Sequence, residues 1–321
     1  MPSKGSSSLS NSGDHGCPEC SAASSGHPCL IRQAAFALPF HDFPLGGLMS
    51  FMEQLAASWR RNLSLVCIGL DPEPERFPLP FRNRADALLS FSTHIVDATA
   101  DLVCCYKPQI AHFAARGGEE QLQALIAYIH ERHPGIPVIL DAKRGDIGST
   151  AEYYAREAFD RYGADAVTLN PYLGGDSLMP FLQRADKGAI LLCRTSNPGA
   201  RDLQDLSVDG MPLYQHVARR AAADWNQFGN CALVVGATYP EDLAQVRRIV
   251  GDMPLLVPGI GAQGGDAEAV VRNGCRPDGA GLIISSSRAV LYASNGDDFA
   301  MAARTAAEAL RSRINQARAS I

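Results

Sequence analysis

The stretch Val138-Ile139-Leu140-Asp141-Ala142-Lys143-Arg144-Gly145-Asp146-Ile147-Gly148-Ser149-Thr150 decides how this chain is read. It opens on an apolar run with no polar alternation, which marks a strand buried on both faces, as in a parallel sheet covered by helices. The run ends abruptly on charge, and a helical pattern follows from Ile147 to Tyr162. The same alternation recurs on both sides. Expected strands are Leu65–Leu70, Cys104–Pro108, Val138–Asp141, Ala166–Leu169, Ala189–Arg194, Ala232–Val235, Leu255–Pro258 and Leu282–Ser285. Expected helices lie near Ala85–Leu102, Gln121–Arg132, Ile147–Tyr162, Ser177–Arg184, Leu213–Phe228, Glu241–Val250, Asp266–Arg272 and Asp298–Ala317. Eight strand–helix units make this an α/β chain and fit a (β/α)8 barrel. A doubly wound open sheet usually carries G-x-G-x-x-G after its first strand. Here that strand ends Gly69-Leu70-Asp71-Pro72, without the pattern.

Composition agrees with a globular enzyme-sized domain. Of 321 residues, 46% are hydrophobic and 20% charged, and Gly 29 with Pro 20 supplies many short connections. A net charge of −5 with no Lys/Arg cluster longer than two residues argues against a nucleic-acid partner. No apolar run approaches the roughly 18 residues of a membrane helix. Nine Cys scattered through apolar runs read as buried thiols in a reducing cytoplasm. Residues 1–48, rich in Ser and Gly, read as a disordered extension ahead of a barrel domain at 49–321. The extension has no apolar core of a secretory signal. Its Cys17, Cys20, His27 and Cys29 resemble half a zinc knuckle without its second half, so they are read as incidental and no metal is expected. Met49, just before an amphipathic helix, is a candidate alternative start.

In a barrel of this type chemistry gathers at the C-terminal strand ends. Those ends carry Asp71, Lys107, the set Asp141, Lys143 and Asp146, then Thr195-Ser196-Asn197, the turn Pro258–Gly265, and Ser285–Arg288. Residues two apart in a strand share a face, so Asp141 and Lys143 are expected to point the same way, with Asp146 in the following turn. An ion pair capping the barrel mouth could explain any one of these charges. Together with Lys107 they favour a reacting site. Gly259, Gly261, Gly264 and Gly265 free the backbone to offer N–H groups, and Arg288 adds a planar cation beside them, which points to a phosphate site. The long segment from Asn197 to Pro212 has few apolar anchors and is expected to be a mobile loop over the site.

The blocks Gly69–Pro72, Tyr106-Lys107-Pro108, Leu140–Thr150, Thr195–Gly199, Val235–Thr238, Pro258–Gly265 and Ser287-Arg288 resemble, in order, the orotidine 5′-phosphate decarboxylase family, and most closely its bacterial type 2 branch. The resemblance covers about residues 50–315. It implies conversion of orotidine 5′-phosphate to UMP and CO2 in pyrimidine biosynthesis, without metal or cofactor. Lys107, Asp141, Lys143 and Asp146 match the family's charged tetrad, with Lys143 protonating C6. The resemblance further implies a homodimer in which Asp146, with Ile147 and Thr150, serves the partner's site. Asp71 would bind ribose, Ser196 the pyrimidine edge, and Gln263 with Arg288 the phosphate. The competing readings are a Mg²⁺-dependent sugar-phosphate decarboxylase, a Schiff-base aldolase using Lys143, and a non-catalytic phosphate-ligand sensor.

Overall fold

The computed structural model describes residues 49–260 and 266–321. The expected extension, its Cys17, Cys20, His27 and Cys29, and the turn residues Gly261, Gln263, Gly264 and Gly265 lie outside the described residues. Among the described residues, eight strands form one parallel sheet: β1 (Val66–Leu70), β2 (Cys105–Pro108), β3 (Ile139–Arg144), β4 (Ala166–Leu169), β5 (Gly188–Arg194), β6 (Cys231–Val235), β7 (Leu255–Pro258) and β8 (Leu282–Ser286). They neighbour one another in chain order, and β8 pairs with β1. The parallel bridges Tyr106↔Val138 and Gln109↔Asp141 join β2 to β3 and complete the ring. The expected (β/α)8 barrel is therefore the fold. The strands are buried almost throughout, which is what their unbroken apolar runs require.

Helices lie between successive strands along the chain, and their ends differ in detail from the periodic reading. The helix expected over Ile147–Tyr162 runs as α-helix from Gly148 to Arg156 and finishes as a π turn, Glu157–Arg161. Likewise Leu213–Arg220 passes into a π turn at Ala221–Trp225. The segment Asn197–Pro212 carries more order than expected. It holds a short helix, Arg201–Gln204, and a two-stranded hairpin, Ser207–Val208 with Met211–Pro212. Its turn, Asp209-Gly210, has positive φ at both positions (49° and 77°), the combination a tight hairpin needs.

The helix Phe51–Arg61 sits at the N-terminal end of the barrel. Ser50 and Glu53 close a reciprocal capping box at its start. Its Phe51 packs on Gly188 of β5, where an added Cβ would lie 2.3 Å from Phe51 Cδ1. At the same end Asp165, buried just before β4, accepts from Val138 N (2.8 Å), His130 Nε2 (2.8 Å) and Gln54 Nε2 (3.3 Å). This end is tied shut, so chemistry is left to the opposite mouth.

Candidate active site

At the C-terminal mouth a cavity of about 480 Å³ is lined by Lys107, Asp141, Lys143, Thr168, Ser196 and Pro258, among others. That volume suits a small organic ligand. Its floor is an ionic cluster. Lys107 on β2 and Asp141 on β3 are both buried, with Lys107 Nζ 2.7 Å from Asp141 Oδ2. Lys143 Nζ donates to Asp141 Oδ1 at 2.5 Å while its side chain stays about half exposed to the cavity. Burial by itself would raise the Asp141 pKa, but Lys107 and Lys143 outweigh it and hold the carboxyl well below the usual carboxylate range. Burial likewise works against the Lys107 charge, yet Asp141 and Asp71 raise its pKa above the ordinary lysine range. Both groups are thus fully charged at neutral pH. Lys107, Lys143 and Asp141 sum to one positive charge, which Asp71 beside Lys107 offsets, so the cluster as a whole carries no uncompensated charge.

The expected spacing brings Asp141 and Lys143 together by a different route from a regular strand. Between Leu140 and Arg144 the register of β3 against β4 slips, so that Thr168 alone stands opposite Asp141-Ala142-Lys143. Lys143 adopts φ +48°, rare outside glycine. The bulge turns its side chain back over Asp141.

The other expected residues fall in three groups. Asp71 follows β1 beside Lys107, and its charge acts on that lysine. Its Oδ1, like Ser287 Oγ nearby, is buried without a hydrogen-bond partner among the described residues, as a ligand-binding group would be. Tyr292 steadies this turn by donating to Asp71 O (3.0 Å) and accepting from Glu73 N (2.6 Å). Arg288 opens the short helix Arg288–Leu291 after β8, exposed, and its guanidinium has no ion pair or hydrogen bond to any described residue. Gln263 lies outside the described residues. Asp146, Ile147 and Thr150 form the third group. They do not line this cavity. Asp146 Oδ1 accepts from Ile147 N (2.8 Å), and Ile147 and Thr150 are exposed.

Three residues in this region were not singled out in the sequence. Thr168 reads there as an ordinary β-former in an apolar strand. Arg194 reads as a strand end. It is in fact buried, faces Tyr239 at 4.3 Å, and pairs with Asp242 (2.9 Å) and with Asp205 (3.0 Å) of the segment over the cavity. Tyr292 carries no local signal at all. Among the described residues no three His, Cys, Asp or Glu side chains gather as a metal site, and no helix is long and apolar enough to cross a membrane.

Comparison with known proteins bears on this mouth. The model of the orotidine 5′-phosphate decarboxylase / HUMPS family matches residues 64–303. The chain is 63% identical over 270 residues to the orotidine 5′-phosphate decarboxylase of Ralstonia pickettii (strain 12J), covering 84% of this chain and 100% of that protein. It is 64% identical over 273 residues to that of Cellvibrio japonicus (strain Ueda107), covering 84% and 100%. Among solved structures it is similar to Leishmania donovani OMP decarboxylase, with a TM-score of 0.74 and 39% identity over 85% of this chain and 100% of that one. It also superposes on Leishmania donovani UMP synthase with a TM-score of 0.76 and 41% identity, over 84% of this chain but 57% of that longer one. A charged barrel mouth, a family match over most of the chain and relatives this similar along their whole length converge: the chain belongs to the orotidine 5′-phosphate decarboxylase / HUMPS family.

Proposed function

We propose that the chain decarboxylates orotidine 5′-phosphate to UMP, and that Lys143 and Asp141 do the chemistry. The carrying observation is one buried carboxylate held between two ammonium groups on the floor of a cavity, with the Lys143 ammonium open to that cavity. In this reading the C6–carboxylate bond of the substrate breaks heterolytically. CO2 leaves, the electron pair stays on C6, and Lys143 Nζ–H delivers the proton that makes UMP. The neutral amine then regains a proton from solvent.

Magnitudes decide which effect matters. Large enzymatic accelerations need about 20 kcal/mol of transition-state stabilisation. Repulsion between Asp141 and the substrate carboxylate is worth about 4 kcal/mol at 4 Å and an effective dielectric of 20. That repulsion is a minor contributor. The larger one is a fixed ammonium placed where negative charge develops, in a site already organised before substrate arrives. Its orientation is prepaid by the hydrogen bonds around Asp141.

Remote binding energy would come from Arg288 and Gln263 on phosphate, Asp71 on ribose hydroxyls and Ser196 on the pyrimidine edge. The unpartnered Asp71 Oδ1 and the unpaired Arg288 support this assignment. For Asp146, Ile147 and Thr150 the reading is a homodimer in which they serve the partner's site. Ile147, Tyr153, Tyr172 and Leu173 are all exposed large hydrophobics from the helices and turns after β3 and β4, apolar surface that suits a second copy. Buried free thiols at Cys67, Cys104, Cys105, Cys193 and Cys231 suit a reducing cytoplasm. The direct test incubates purified protein and chelator with orotidine 5′-phosphate. UMP and CO2 in equal amounts are expected. No turnover, or turnover only on adding Mg²⁺, contradicts the reading.

A further inference from the structure

The bulge in β3 creates a bookkeeping problem for the backbone. Three residues of β3 face a single residue of β4, so the amides of Ala142 and Lys143 lose the carbonyl partners a regular ladder would supply. Both amides instead donate to one atom, Thr168 Oγ1, at 3.0 and 2.9 Å. A hydroxyl has two acceptor positions and one proton. With both acceptor positions taken by N–H groups, its proton has to go elsewhere, and Asp141 Oδ1 lies 2.9 Å away. Thr168 is itself buried at 1% exposure, and its bond to Asp141 is buried with it.

We propose that Thr168 is a positioning residue for the decarboxylation: its hydroxyl locks the bulge that turns Lys143 over Asp141 and fixes the rotation of the Asp141 carboxylate between the two lysines. This inference rests on the proposed roles of Lys143 and Asp141 and adds the group that holds them. It also accounts for the left-handed backbone at Lys143. That conformation is unfavourable for a long side chain on its own and persists where surrounding bonds over-determine it. Without the hydroxyl, two part-buried amides would lose their shared acceptor. The strand would then gain by relaxing toward regular pairing, which swings Lys143 away from the cavity.

Thr168→Val keeps the shape and β-branching and removes only the hydroxyl. Thr168→Ser keeps the hydroxyl and removes the methyl. With the wild type as control, Thr168→Val is expected to lose about 100-fold in kcat on orotidine 5′-phosphate. Its KM and its affinity for UMP should stay within about threefold, because the phosphate and ribose contacts are untouched. Thr168→Ser is expected to keep kcat within about threefold of wild type. A purely packing role would give the opposite order, with Val tolerated and Ser impaired, and that order overturns the proposal. A folded Thr168→Val with wild-type kcat overturns it as well. Should Thr168→Val fail to fold, Thr168→Ser decides alone: near-normal kcat supports the hydroxyl, and a tenfold or larger loss contradicts it. A wild type that does not turn over the substrate defeats the reading of the reaction itself, and this inference with it.

Discussion

At the scale of single residues, the site is governed by how Asp141 is paired. Its folded-state pKa lies below its unfolded one, so its contribution to stability is present above about pH 4 and lost as pH falls through the lowered folded value. Lys107 is the mirror case. Its folded value is raised, so its contribution is present below about pH 10 and lost only as pH rises through that raised value. The pair therefore adds a constant stabilisation across the neutral range. Asp141→Asn leaves the buried Lys107 without its partner carboxylate and is expected to lower stability by about 3 kcal/mol at pH 7, with a weaker acid limb. Urea unfolding at several pH values measures both, and an unchanged midpoint contradicts the pairing argument. The lysines and Asp141 were legible in the sequence because charge directly after an apolar strand has few structural explanations. Thr168 was not, since a threonine in Ala166–Leu169 fits a strand on propensity alone and its role exists only through the neighbouring bulge.

At the scale of elements, the strands were read to within three residues at each end because parallel strands buried on both faces cannot hide. The largest departure is β3, which continues to Arg144 through the bulge instead of stopping at Asp141. Helix ends were less legible. The π turns at Glu157–Arg161 and Ala221–Trp225 preserve enough helical period to pass as regular helix. The hairpin in Asn197–Pro212 did carry a signal, the Asp209-Gly210 pair, but four strand residues are too few for alternation to show. Arg194 anchors this segment through Asp205, so it is less free over the site than its length suggested. At the opposite end, Gly188 is required by contact with Phe51 Cδ1 and with Ala166 Cβ, 2.3 and 2.7 Å from an added Cβ. Gly188→Ala is expected to cost about 1–3 kcal/mol by overpacking, read as a lower urea midpoint with kcat preserved in the folded fraction. A neutral substitution there would contradict the close fit of the first helix against the barrel.

At the scale of the whole molecule, the barrel separates stability from chemistry. Asp165 and the Phe51–Arg61 helix hold the N-terminal end, and the C-terminal mouth gathers Asp71, Lys107, Asp141 and Lys143 from β1, β2 and β3 and the turns that follow them. Asp146 does not line the cavity of its own chain. If Asp146 serves the partner's site, mixing inactive Lys143→Ala with inactive Asp146→Ala should restore about one quarter of wild-type activity, since half the dimers are mixed and each holds one intact site. No recovery after subunit exchange contradicts the shared site. The claim on which everything turns is that the Lys143 ammonium, fixed by Asp141, makes the C6 anion accessible. The most direct test compares kcat for orotidine 5′-phosphate decarboxylation in wild type and Lys143→Ala, with unfolding midpoint and UMP affinity measured alongside. A loss of about 10⁴-fold or more with fold and UMP binding intact is expected; a folded Lys143→Ala within tenfold of wild-type kcat contradicts the account.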